Sequence, residues 1–454
     1  MNLDLNIQPL AGILPELYFQ EPNRFELSNG LKVLVVENHK LPRVSLHLQI
    51  DRDLFTEGNK KGVDALTSSL LGKGSKKISK ENFYEETDLL GFELYLHSTG
   101  GKAVGLSKYA GRMIELFAQA LLFPNFTQEE LEKERLKMIE ALRSNEKNVQ
   151  NTLTKIENAL IFGPSHPKGE FITEDTLKNV SLADIQNNYN TSFRPQDAYL
   201  IIIGDIQLDV VKEKIRSEFS DWSKNSSHTQ ILSIPPTIDT TEINWVNLPN
   251  AVQTEISVVN TIHFPMNSPD YFSVIMANQI LGGGADGRLF LNLREDKGWT
   301  YGAYSSVSAS KTTTKFKVST QVRNEVVANA IDEIVKEIQK LRNELVNDSE
   351  LSLVKSKYIG HFIMQSQKSE SIARYALNRE IQKLPHDFYR NYIQQINAVQ
   401  PEDILRVAQK YFLADNCLIV IVGNGNEIKQ ELFNTQYKVK EFDSNCNLLS
   451  SDYS

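Results

Sequence analysis

The strongest constraint on the fold is that the chain repeats itself. LADIQNNYNTSF runs into RPQDAYLIIIGDI near residue 190, and PEDILRVAQKYF runs into LADNCLIVIVGN near residue 410. Asp184 and Asp403, Ile185 and Ile404, Phe193 and Phe412, and Gly204 and Gly423 are each 219 residues apart, without a gap. Both copies read as a polar helix followed by an apolar strand, and such self-similarity reports a structural unit used twice. Between them, SKNSSHTQILSIPPTIDTTEIN is rich in Ser, Thr, Asn and Pro, and Pro235-Pro236 prevents regular helix. The sequence therefore divides into an N-terminal arm (1–21), a first domain (22–222), a linker (223–245), a second domain (246–430) and a polar tail (431–454) expected to fray. The expected class is α+β, with strands and helices in each domain.

Local patterns fill in these units. FELSNGLKVLVVENHKLPRVSLHLQID reads as two strands: Asn29-Gly30 gives a turn signal before an apolar run, and Val44, Leu46, Leu48 and Ile50 alternate with polar neighbours. Thr127 and Glu130 have the spacing of a capping box opening a charged, solvent-facing helix that reaches Asn145. Ile331, Ile334, Val335, Ile338, Leu341 and Leu345 share one helical face and belong in a core.

Composition excludes several functions. The 454 residues carry 49 Lys+Arg against 57 Asp+Glu, a formal charge of −8 that argues against bulk nucleic-acid binding. The one basic cluster in sequence, Lys73, Lys76, Lys77 and Lys80, has no interleaved aromatics and reads as a solvated face. AYLIII and CLIVIV, the longest apolar runs, are far shorter than the roughly 20 residues that span a bilayer. The first 24 residues resemble neither a secretory leader nor a transit peptide, so the expected compartment is the cytoplasm. Cys417 and Cys446 are too few for a disulfide framework or a thiolate metal site.

No two of the eight histidines lie three to five residues apart, so no local histidine-based zinc motif exists. Nucleophile-elbow, phosphate-loop and EF-hand patterns are also absent from the sequence. What remains is a Gly282-Gly283-Gly284 run, which permits either close backbone approach or loop movement, and LREDKGWTYGAY, which sets Arg294 and Tyr301 around a turn at Gly298. A guanidinium and a phenol there are suited to face one cleft, and alone they are equally compatible with a surface ion pair and a core tyrosine.

The passage LGGGADGRLFLNLREDKGWTYGAYSS, a Gly-rich start followed by R-L-F, L-R-E and G-x-x-Y, resembles the C-terminal-half signature of the pitrilysin/insulinase zinc peptidases, in the branch of mitochondrial processing peptidase and its bacterial relatives. The likeness extends over nearly the whole chain, through the Asn29-Gly30 hairpin, the helix after GVDALTSSLLGKGSKK, Phe123-Pro124 followed by an E-x-E-R helix, and the duplication. It implies two homologous α/β-sandwich domains of the LuxS/mitochondrial processing peptidase-like metallohydrolase fold, arranged as a clamshell.

Active members of that family carry G-x-x-H-x-x-E-H-x-x-x-x-G-[TS], in which two His and a downstream Glu bind zinc and the motif Glu activates water. Aligning Gly62 and Gly74-Ser75 puts Ala65 and Ser69 at the histidines and Ser68 at the glutamate; seven residues after Glu134, the third ligand position is Ala141. Glu140 and Glu146 are nearby but out of register. The resemblance thus implies a chain with no metal and no catalytic residue of its own. It also implies that Arg294 and Tyr301, with Gly282, Gly283 and Gly284, bind peptide substrate and stabilise an oxyanion beside zinc held by a homologous H-x-x-E-H subunit. The alternatives are a non-enzymatic scaffold subunit of a larger complex and a peptide-binding homodimer.

Overall fold

The computed structural model describes residues 21–224 and 230–451. The arm up to residue 20, linker residues 225–229 and the last three residues lie outside the described part. Two mixed sheets dominate. The first contains β1 (Asn23–Glu26), β2 (Lys32–Glu37), β3 (Arg43–Ile50), β4 (Glu93–His97), β5 (Gly100–Leu106) and β6 (Ala198–Gly204), in the order β1-β2-β6-β3-β5-β4. The second contains β7 (Glu242–Asn247), β8 (Gln253–Ile262), β9 (Thr300–Val307), β10 (Thr314–Arg323), β11 (Leu418–Gly423), β12 (Lys438–Phe442) and β13 (Leu448–Ser451), in the order β13-β12-β7-β11-β8-β10-β9.

The duplication is visible in the pairing. β6 runs parallel to β2 and antiparallel to β3, and β11 runs parallel to β7 and antiparallel to β8. The helix before each central strand starts the same way: Ser181 and Asp184 form a capping box on Leu182–Ser192, and Gln400 and Asp403 form one on Pro401–Tyr411. Asp184 and Asp403, the first pair in the repeat, therefore return a carboxylate to the cap backbone in both halves. β6 and β11 are buried on both faces, as an uninterrupted apolar run requires.

Each half has its own core. Val44, Leu46, Leu48 and Ile50 of β3 pack with Met113, Phe117 and Leu121 of the helix Ala110–Leu122, and Ile331, Ile334, Val335, Ile338 and Leu341 of Val327–Asn343 pack under the second sheet. Leu345 is not part of that face; it lies past the helix end and is 56% exposed.

The second faces of the sheets are covered by an exchange. The helix Val149–Phe162, from the first half of the chain, sets Leu153, Ile156 and Phe162 on Val246, Val259 and Val420 of the second sheet. In return, Ser369–Ile381 sets Ala373 and Ala376 on Leu34, Val36, Ile201 and Ile203 of the first. Glu157, completely buried, fixes the first of these crossings: it pairs with Lys315 and with Lys317 at 2.8 Å, and accepts from Ser257 at 2.6 Å.

Four local expectations need correction. The N-terminal stretch forms three strands rather than two, because β1 closes a hairpin on β2. The segment expected to fray instead pairs: β12 runs parallel to β7 and antiparallel to β13, with Val439 and Phe442 buried. Thr127 caps Gln128–Asn145 by accepting from the Glu130 N–H, but Glu130 does not complete the box. Its carboxylate is taken by Lys73 and Lys80, so these two members of the basic cluster are paired rather than solvated. Burial pushes Glu130 up, but hydrogen bonds from Lys80 and Lys73 outweigh it and hold the carboxyl at about 2.

Candidate functional site

The first locus is the helix Val63–Leu70. Gly62 begins it with φ of +110°, and a side chain there would lie 2.7 Å from Leu177. At the far end of the motif, the buried Ser75 hydroxyl accepts from the N–H groups of Lys77 and Ile78. Val63, Leu66 and Leu70 pack with Leu131 and Ile139 of Gln128–Asn145, so the two helices that would carry metal ligands lie side by side.

The ligand positions themselves carry nothing that suits zinc. Ala65 has no donor atom, and Ala141 is exposed. Ser68 donates to Asp64 O and accepts from the Ser98 N–H, both at 2.9 Å; Ser69 donates to Leu66 O at 2.9 Å. Both hydroxyls are thus used on backbone groups, and neutral hydroxyls are weak zinc ligands in any case. Among the described residues no group of three or more His, Cys, Asp and Glu side chains is arranged to hold a metal. These residues do not fit the metal that the motif serves, and without a metal-bound water or motif carboxylate the locus has no nucleophile to offer.

A polar network that the sequence did not announce fills the neighbourhood. Asp64 accepts from Arg52 at 2.7 Å, Ser98 at 2.6 Å and Asn188 at 3.1 Å. Burial pushes its carboxyl up, but the Arg52 charge and the three hydrogen bonds outweigh it and hold it below the ordinary value. The network's four members come from four separate segments, so no spacing rule could have grouped them.

Arg294 and Tyr301 form the second locus. Arg288–Phe290 continues into a π-helical turn, Leu291–Asp296, anchored by the buried Leu289 and Leu293. Arg288 clamps Glu350 through two bonds at 2.8 and 2.7 Å, and Asn292 donates to Glu333 and Glu337. Arg294 is left exposed, with no ion pair among the described residues.

Tyr301 sits on β9, the edge strand against which this turn packs. Ala303 pairs with Thr320 and Thr300 with Val322, so β9 holds one residue more than β10 at Tyr301-Gly302. This bulge is pinned by the Thr300 and Thr320 hydroxyls, both 3.0 Å from Gly302 O. A bulge re-aims the side chain it carries, and Tyr301 is 83% exposed. Gly302, a glycine inside a strand pattern, was the sequence signal for it.

Of the glycine run, Gly282 ends the helix Tyr271–Gly282 so close to β9 that a Cβ would lie 2.6 Å from Ser305 N. Close backbone approach is therefore its role, and Gly283 and Gly284 carry the chain on toward Arg288. No hydrogen bond, ion pair or ring contact among the described residues joins Arg294 or Tyr301 to Val63–Leu70. The turn that carries Arg294 packs on the strand that carries Tyr301.

The fold is a duplicated pair of mixed sheets, and among the described residues no cluster of His, Cys, Asp and Glu is arranged to hold a metal. Residues 179–358 match the family described as the peptidase M16 inactive domain. Over that segment the chain is similar to the M16, pitrilysin-like family, and its likeness to solved structures is one of fold. It is 20% identical to the uncharacterized zinc protease YmxG of Bacillus subtilis, over 89% of this chain and 98% of that one. It is 21% identical to the non-peptidase homolog YmxG of Helicobacter pylori, over 88% and 94%. Among solved structures, the peptidase M16 inactive domain from Pseudomonas fluorescens superimposes with a TM-score of 0.79 at 21% identity, covering 89% of this chain and 98% of that one. No helix among the described residues is long and apolar enough to cross a membrane.

Proposed function

We propose that this chain is the zinc-lacking subunit of a heterodimeric metalloendopeptidase: a homologous H-x-x-E-H subunit brings the metal, and this chain brings Arg294, Tyr301 and part of the peptide-binding surface. The observation that carries the reading is the Tyr301 bulge. Two threonine hydroxyls pin the bulge that leaves the Tyr301 phenol exposed, on the strand against which the turn bearing the exposed Arg294 packs. A phenol and a guanidinium that meet a developing oxyanion stabilise it, and loss of one oxyanion donor costs roughly 2.7–4 kcal/mol in the activation barrier. The proposed setting is the cytoplasm.

The test is turnover of a quenched fluorescent peptide by the reconstituted pair. Arg294→Ala with Tyr301→Phe is expected to lower turnover by about 100-fold or more, in line with single oxyanion-donor losses, while size-exclusion chromatography shows the complex intact. Unchanged turnover would leave the chain as a scaffold. That second reading is favoured by the similarity to the H. pylori relative, a non-peptidase homolog.

A further inference from the structure

We infer that a basic cavity on the open face of the first sheet is a recognition site for the carboxylates of an acidic peptide segment, an inference that rests on the reading of this chain as a peptide-binding subunit. Ser369–Ile381 covers β2 and β6 but leaves β3 and β5 bare. There Ser45, His47 and Lys102 line a cavity of about 300 Å³, closed at its far side by residues 367–370 of the second half.

Four cations from three segments, Lys40 and Arg43, Lys102, and Lys368, line this one cavity. None makes an ion pair among the described residues, whereas Lys73, Lys80, Lys315 and Lys317 each reach a carboxylate. The single acid in the lining is Glu370. Gathering like charges around a concavity is unfavourable unless an anion enters it, and no element of the fold depends on these side chains being charged. Burial and then Lys102 push the His47 imidazole below its ordinary value.

The second half supplies donors as well. Ser369–Ile381 begins without a side-chain cap, and the Ser369 hydroxyl accepts from Asn38 at 2.6 Å, leaving its own proton to donate. A helix start with uncapped N–H groups adds to the attraction for negative charge. Three of the four cations are lysines, point charges spread along the cavity rather than forks converging on one centre, which suits several carboxylates in sequence better than a single phosphate.

The test uses the full chain alone and two fluorescein-labelled unstructured peptides, one with four Glu and one with Gln in their place, read by anisotropy at 50 and 300 mM salt. The Glu peptide is expected to bind about tenfold more tightly at low salt and to lose most of that advantage at high salt. Lys40→Gln/Arg43→Gln/Lys102→Gln should abolish the preference, while Lys133→Gln/Lys137→Gln/Lys178→Gln, an equal loss of charge elsewhere, should keep it. Equal affinity for the two peptides, indifference to the first triple variant, or full displacement of the Glu peptide by equimolar inorganic phosphate would overturn the inference. Arg294 and Tyr301 are untouched in this experiment and no zinc subunit is present. A null result here with Arg294- and Tyr301-dependent turnover in the pair would remove only the acidic preference.

Discussion

At the scale of single residues, the altered metal locus is a stable polar structure rather than a hole. Ser68, at the position of the motif glutamate, spends its hydroxyl on Asp64 O and the Ser98 N–H, and the Asp64 carboxylate gathers Arg52, Ser98 and Asn188. Asp64 titrates below its ordinary value in the fold, so its contribution to stability is present above the unfolded carboxylate pKa and lost as pH falls through the folded one. Asp64→Asn should therefore cost about 1–3 kcal/mol at pH 7, with the gap to wild type shrinking below about pH 4; urea unfolding at both pH values checks it. An equal gap at pH 3 and pH 7 would show that the carboxylate charge is not what the network uses. The motif's spacing assigns Ala65, Ser68, Ser69 and Ala141 to the ligand positions from sequence alone, whereas the Asp64 network was not legible, because its members meet only after folding.

At the scale of elements, Asp270 joins two helices of the second half that are far apart in sequence. It precedes Tyr271–Gly282 and accepts from Arg406 at 2.6 Å, Lys410 at 2.8 Å and Tyr411 at 2.7 Å on Pro401–Tyr411. Burial pushes the carboxyl up, but hydrogen bonds from Lys410, Tyr411 and Arg406 outweigh it and bring it to about 2, from 3.8 when unfolded. The sign follows from the depressed value: about 2 kcal/mol of stability is present above pH 4 and disappears as pH falls from 3.8 toward 2. Asp270→Asn should remove that acid-sensitive component, flattening the loss of stability across this window in guanidinium unfolding. The elements that sequence made legible are those with a strong period or cap, such as β6, β11 and the two capped helices before them. β1, β12 and β13 were missed for a physical reason: each is only four or five residues at or near a sheet edge, with β1 and β13 mostly exposed and β12 burying just Val439 and Phe442, so too few apolar residues carry an alternation. The bulge that presents Tyr301 had only Gly302 as its sequence signal, since register belongs to a pair of strands and not to one.

At the scale of the whole molecule, the two halves are interlocked rather than strung on a linker. Val149–Phe162 and Ser369–Ile381 exchange places, Glu157 sits between Lys315 and Lys317, and Lys311 bonds Asp51 at 2.8 and 2.7 Å across the halves. Removing one partner of a buried ion cluster leaves the others uncompensated, so Glu157→Ala should destabilise the fold by about 3–5 kcal/mol, seen as a lower urea midpoint. A change within 0.5 kcal/mol, roughly the range of neutral surface substitutions, would mean that the apolar contacts alone hold the crossing. The duplication and the two-unit plan were legible from the 219-residue offset, but the exchange was not, because the exchanged helices carry no part of the repeated pattern. The central claim is that this chain is incomplete alone and functional in a pair. Its most direct test is cleavage of a quenched fluorescent peptide library by this chain, by an H-x-x-E-H homologue that co-purifies with it, and by the two together. Chelator-sensitive cleavage that appears with the mixture and not with this chain alone is the expected result. Cleavage by this chain alone would contradict the account, and a mixture no more active than the homologue by itself would reduce the chain to a scaffold.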